Sequence, residues 1–314
     1  MNNIEFSLLD FGFRDTTMGA LRIQMDVIKY AQHADELGFK RLWLAEHYYT
    51  YRKLAWTNPE PLITLIAAHT NRIKVGSAGI LLGIHQPFHV AGYFKFLNNL
   101  FLNRIDLGVA NGGVRPIIGK STVGKEDIRD TFNSRVEELI YYLRHEEELA
   151  DNEDSVILPP FKGATPEVWS LGASYRSLEK ALQWRTSFAR TIFHTGSDLN
   201  PDRDTLISYQ EKYKKYHGTP LKVALAVSGC CLPTDSDVRR SIGSRKLDPT
   251  LHIKGTPNEF YDKIMYYQDS FGVDEFVFKD IARTTQDRLQ TLEIISDMFH
   301  LSDPSVNAAV HNVA

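Results

Sequence analysis

Glu46 and His47 stand together at the end of a short apolar run, the stretch 38–47 reading GFKRLWLAEH. An imidazole titrates near neutral pH, so a histidine in that place can give or take a proton beside a bound substrate. A hydrogen-bonded residue on a structural rim is the alternative. Tyr48, Tyr49 and Tyr51 follow, and could line an aromatic substrate pocket or pack a loop. A second cluster, Gly76, Ser77, Ala78 and Gly79, is small enough to let backbone approach a flat ligand, or to pack inside a barrel. A third, LGASYRS at 171–177, sets Gly172, Ala173, Ser174 and Ser177 on a strand-to-helix turn with Arg176 beside them. Backbone N–H groups, a helix start or a guanidinium are what a phosphate needs. His194, just past another apolar run, reads as a second pocket histidine.

Other chemistries find less support. His69, His85 and His89 lie close in sequence, but no carboxylate or thiol joins them at ligand spacing, so no metal is expected. Gly108, Gly112 and Gly113 do not form a G-x-G-x-x-G fingerprint, and there is no Walker motif. The two cysteines, Cys230 and Cys231, are adjacent, a spacing that strains a disulfide, and read as reduced thiols ending a buried strand. A formal charge of −3 gives no footprint for nucleic acid, and Lys212, Lys214 and Lys215 read as a solvated helix face. The start, MNNIEFSLLDFG, lacks the basic and apolar regions of a leader. No apolar run approaches the roughly 20 residues that span a bilayer, so a soluble cytoplasmic protein without membrane partners is expected.

The elements that must position these residues alternate. Short runs apolar on both faces, the pattern of parallel strands, fall at 4–9, 40–45, 73–82, 104–109, 167–171, 188–193, 221–228 and 274–278. Helical periodicity separates them. One helix runs from Ala20 to a stop at Gly38, and another opens with Asn58 as cap and Pro59 in its first turn. Others begin at Pro87 and near Tyr175, Pro201, Pro257 and Thr285, and a charged helix covers about 127–149. Residues 111–124 read as a glycine-rich loop, and 229–256 as a poorly periodic stretch with a short helical piece at 235–243 that could cover one barrel mouth. Eight strand units favour a closed α/β barrel, in which chemistry sits at the C-terminal strand ends.

Six segments in this order resemble the bacterial luciferase-like flavin-dependent monooxygenases. They are FSLLDFG at 6–12, the 38–47 stretch, TNPEPLITLIAAHTNRIKVGSAGILLGIHQP at 57–87, NRIDLGVANGG at 103–113, VWSLGAS at 168–174 and GTPNEFYDKIMYYQDSFGVDEFVF at 255–278. The resemblance implies an α/β fold, a TIM-like (β/α)8 barrel with insertions. It implies one domain over residues 1–314 with a loose tail from about 301. Flavin mononucleotide (FMN) would sit at the C-terminal mouth. His47 would transfer protons. Ala78 and Gly79, where a non-prolyl cis peptide is common in the family, would support the flavin ring, and Gly172, Ala173, Ser174 and Ser177 its phosphate. Tyr49 and His194 would border the substrate.

The implied activity is an FMNH2-dependent monooxygenase. Reduced flavin from a separate flavin reductase would react with O2, and the C4a-peroxyflavin would oxidise a small organic substrate. A deazaflavin (F420)-dependent hydride transfer and a non-catalytic flavin-binding subunit are the other readings. A homodimer through the helices flanking the second and third strands is implied as well. The chain departs from the family's pattern at three places. Tyr48 replaces a second histidine, Asn111 stands where an arginine near the phosphate is common, with Arg115 four residues on, and Gly92 replaces a glutamate.

Overall fold

The computed structural model describes residues 4–12, 19–48, 56–112, 114–124, 129–153, 155–194, 199–245, 248 and 250–302. Tyr49 and Tyr51 lie outside them, as does the chain past Ser302.

Strand β1 (Glu5–Asp10) leads to helix α1 (Ala20–Glu36), β2 (Arg41–Leu44) to α2 (Glu60–Ala68), and β3 (Lys74–Ile80) to α3 (Pro87–Leu100). After β4 (Ile105–Val109) come α4 (Pro116–Val123), α5 (Phe132–Arg144) and α6 (Glu146–Ala150). β5 (Glu167–Gly172) precedes α7 (Leu178–Trp184), and β6 (Ser187–Thr191) precedes α8 (Arg203–His217). β7 (Val223–Cys231), α9 (Asp235–Ile242), a short β8 (Ile253–Gly255), α10 (Pro257–Phe271), β9 (Glu275–Asp280) and α11 (Thr285–Phe299) complete the chain.

Eight of the strands close a parallel barrel in the order β1-β2-β3-β4-β5-β6-β7-β9, with β9 returning to β1. The strands form because their residues are apolar towards the helices and, above a charged base, towards the barrel axis as well. The added strand β8 pairs with β7 only from Gly229 onward. It belongs to the stretch whose lack of periodicity hid it.

Side-chain alternation stacks the barrel interior in layers. The N-terminal layer is charged: Arg41 lies 2.6 Å from Asp106 and 2.7 Å from Glu275, with Lys40, Lys74 and Glu167 extending the network. Two residues further on, Trp43 and Trp169 meet edge to face at 5.0 Å, and the Trp43 indole N–H donates to Asp106 at 3.0 Å. Above this floor the interior becomes small, with Ala189 and Ala226 in the same apolar cluster.

Four expectations need adjustment. The stretch 111–124 is not all loop: α4 occupies most of it, opened by extended Arg115 before Pro116 and closed by Gly124 at φ +71°. The expected helix at 127–149 breaks at His145, where φ −115° and ψ 40° end α5. The break lets α6 present Glu146 to the buried Lys95 of α3 and to the Lys162 N–H at 2.9 Å. Pro59, not Asn58, occupies the cap position of α2. The tail expected from 301 begins with a buried Leu301, whose carbonyl approaches Gly38 so closely that a Cβ there would lie 2.1 Å from it.

Candidate active site

A cavity of about 350 Å³ opens at the C-terminal end of the barrel, within the range of small-molecule sites. Its floor is Leu9, Trp43 and Val277. One wall is built of small residues at the ends of β3 and β4, namely Ala78, Gly79, Ala110 and Gly112. β5 contributes Leu171 and Gly172, with Ala173 just beyond its end, and β6 and β7 contribute Ala189, Thr191 and Ala226. Phe11, Phe193, His47 and His194 stand at the mouth. Large residues below and alanine or glycine above explain why the barrel is filled at one end and hollow at the other.

His47 is held by its backbone. Its N–H donates to the Trp56 carbonyl at 2.9 Å, and the Trp56 indole donates to Asp10 at 2.9 Å. Asp10 in turn accepts from Arg288 of α11 at 2.7 Å, so the loop after β2 is tied to the closing helix. The imidazole meets the Phe11 ring edge-on at 4.5 Å. Burial, then the nearby His194 and Lys279, push its pKa down to about 4, against the pull of Glu46. His194 is pushed down to about 4 by burial, Lys279 and His252. Both imidazoles are therefore neutral at physiological pH.

Glu46 is an organiser. It is 1% exposed. Its carboxylate accepts the Leu81 N–H at 2.8 Å, pairs with His85 Nε2 at 2.8 Å and takes the Tyr48 hydroxyl. Burial works against a charged His85, but the hydrogen bond and charge of Glu46, with Glu60 beyond, outweigh it and raise its pKa. The carboxylate thus fixes the backbone just past β3. The end of β3 just before it carries Ala78 and Gly79, whose shared peptide bond is cis. The pairing of β3 with β4 also shifts register between Ser77 and Ile80, the kind of irregularity that re-aims a side chain at a site. A Cβ on Gly79 would lie 2.8 Å from both the Gly108 carbonyl and Leu171, so this wall admits nothing larger than glycine.

At the end of β5, Gly172 and Ala173 line the cavity while Ser174 and Ser177 lie on the turn outside it. Ser177 packs onto Gly172, where a Cβ would come within 2.8 Å of its hydroxyl. Asn111 lines the cavity, whereas Arg115 is exposed at the start of α4. Gly92 leaves room for Leu158, 3.3 Å from where its Cβ would be, and the neighbouring Lys95 donates to the Leu158 carbonyl at 2.8 Å. That pair docks the segment between β4 and β5 onto α3. Tyr48 lines the cavity, and Tyr49 lies outside the described residues.

The structure therefore brings His47, Ala78, Gly79, Asn111, Gly172, Ala173 and His194 to one cavity and leaves Ser174 and Ser177 beside it. The sequence reading missed Phe11, Phe193 and Lys279. The signal was the period of two: Val277 lines the cavity, so Lys279 follows on the same side of β9. Cys230 and Cys231 are buried and unbridged, and burial, with Asp280, pushes the Cys230 thiol up to about 12.

Comparison with known proteins adds a relationship. The model of a family described as luciferase-like monooxygenase matches residues 5–269. The Bacillus subtilis (strain 168) protein named "Uncharacterized protein YceB" is 32% identical over 225 residues, 70% of this chain and 66% of that protein, just under two thirds of its length. Among solved structures, apo-MsnO8 has a TM-score of 0.80 at 25% identity, covering 95% of this chain and 99% of that one. The oxygenating constituent of 3,6-diketocamphane monooxygenase from Pseudomonas putida, solved in complex with FMN, has a TM-score of 0.75 at 19% identity. It covers 94% of this chain and 98% of its own, a likeness of fold.

Proposed function

The chain belongs to the luciferase-like monooxygenase family and is an oxidoreductase, and from that premise we propose that it is an FMNH2-dependent monooxygenase acting on a small organic substrate. The observation that carries the reading is the apolar cavity at the C-terminal mouth, walled by small residues and bordered by a neutral His47. Two details fit a flat heteroaromatic ring. The Gly79 wall admits backbone contact, and Thr191 Oγ1 is buried at the cavity without a hydrogen-bond partner among the described residues. A ring with polar edges would satisfy that hydroxyl.

Ala78, Gly79 and Leu171 would hold the ring. Asn111 and the turn from Gly172 to Ser177 would hold the phosphate with amide, hydroxyl and backbone donors. Reduced FMN, delivered by a separate reductase, would supply the two electrons that activate O2, one oxygen atom entering the substrate and the other leaving as water. His47, held neutral, would accept a proton at Nε2 or Nδ1 and return it. Phe11 and Phe193 would exclude water from the mouth. The protein would act as a cytoplasmic homodimer through α2 and α3, on which Leu65, Phe96 and Leu100 remain exposed. A sedimenting species of 35.8 kDa at micromolar concentration would contradict the dimer.

The test is turnover of a substrate panel with FMN, a flavin reductase and O2. Oxygen-dependent product is expected, and His47→Ala should slow it by about 100-fold or more, the usual worth of a positioned acid–base group. Hydride transfer to or from F420 without O2 would favour the deazaflavin reading. FMN binding without oxidised product would favour a non-catalytic subunit.

A further inference from the structure

Lys279 has no part in the flavin reading, yet β9 brings it against two rings that line the cavity. Glu275 faces the charged base of the barrel, Val277 lines the cavity, and Lys279 comes next on that side. Its ammonium lies 4.2 Å from the centre of the Phe11 ring and 4.7 Å from that of Phe193, and both rings line the cavity. The same rings touch the histidines of the mouth, Phe11 meeting His47 at 4.5 Å and Phe193 meeting His194 at 4.5 Å. A third imidazole, His252, is fixed nearby by Ser228 at 2.5 Å, and the lysine charge disfavours protonation of all three. The carboxylate of Glu46 is turned to the other side, towards Leu81 and His85. This quarter of the mouth therefore joins the Lys279 ammonium to flat apolar faces and to three imidazoles held towards their neutral forms, with Lys254, Arg245 and the carboxylate of Asp248 also acting on His252.

We propose that this quarter is the substrate subsite and that it selects an apolar organic anion, a carboxylate on a hydrophobic body, with the Lys279 ammonium as counter-charge. The proposal rests on the monooxygenase reading of the same cavity and names its substrate class. An anion there meets a charge-assisted partner in a water-poor site, while its apolar part lies against Phe11 and Phe193. The phosphate of FMN is a second possible anion. Its proposed turn ends β5, which is separated from β9 by β6 and β7 around the barrel.

The experiment titrates the FMN-loaded protein with octanoate and with octanamide by calorimetry, for the native chain, Lys279→Met and Lys279→Arg. The native chain should bind octanoate at least about tenfold more tightly than octanamide, the scale of a hydrogen bond to a charged group. Lys279→Met should bring the two within about twofold while retaining octanamide binding, and Lys279→Arg should keep the preference. Equal binding by the native chain, no octanoate binding at millimolar concentration, or a preference that survives in Lys279→Met overturns the proposal. Comparing FMN with riboflavin separates the two anions. If Lys279→Met weakens FMN but not riboflavin and leaves the octanoate preference intact, the lysine serves the flavin phosphate and the proposal fails. Flavin binding is read independently in each case, so losing the carboxylate preference does not imply losing the flavin.

Discussion

At the residue scale, His47 and His194 tie function to pH. Each has a folded pKa near 4 against an ordinary value of 6.5. Between those values the unfolded chain binds protons that the fold refuses, so stability falls as pH drops from 6.5 towards 4. The combined variant His47→Gln and His194→Gln should lose part of that slope. Its thermal midpoint should fall less than that of the native chain between pH 7 and pH 5, roughly the window this linkage covers. Parallel midpoint curves would mean the imidazoles titrate normally. A base that stays unprotonated can accept a proton throughout the physiological range, which is the use proposed for His47. Glu46 works differently. It was legible as a carboxylate at a strand end, but its service to Leu81 and His85, as well as to the neighbouring Tyr48, became visible only when the segment 81–85 was brought against it.

At the element scale, the end of β3 carries the site. Gly79→Ala would place a methyl 2.8 Å from the Gly108 carbonyl and Leu171. Backbone must yield, so a loss of about 1–3 kcal/mol is expected, as for overpacking in a tight interior. FMN affinity should fall with it. Chemical denaturation and calorimetry measure the two effects, and unchanged values in both would remove β3 from the flavin site. The eight barrel strands were legible because each is a short run apolar on both faces. So were Ala78, Gly79 and Gly172, because small residues at strand ends in this order resemble a known pattern. α4 was not: Gly119 interrupts it, and only Pro116 at its start and Gly124 at its end mark it. β8 is three residues long, too short to show any period. Lys279 was missed because the expected strand stopped at 278, whereas β9 runs on to Asp280 and carries the lysine on the side of Val277.

At the scale of the whole molecule, the barrel separates stability from chemistry. The N-terminal layer is closed by Arg41 between Asp106 and Glu275. Arg41→Met would leave two buried carboxylates with the partly exposed Lys40 and Lys74 as their neighbouring cations and with neutral donors from Trp43 and Ser7. A loss of about 3–5 kcal/mol is expected, the usual cost of breaking one side of a buried pair. Flavin affinity of the folded fraction should not change, since the Trp43 and Trp169 floor stands between the two layers. Equilibrium unfolding in urea would report the loss, and a midpoint equal to the native one would deny the network its structural role.

The opposite, hollow end carries the central claim, that the mouth bordered by β2, β3 and β5 holds reduced flavin. Anaerobic calorimetry of the native chain with dithionite-reduced FMN tests it most directly. The account predicts a saturable exotherm at one flavin per chain, while a titration without heat or saturation would contradict it.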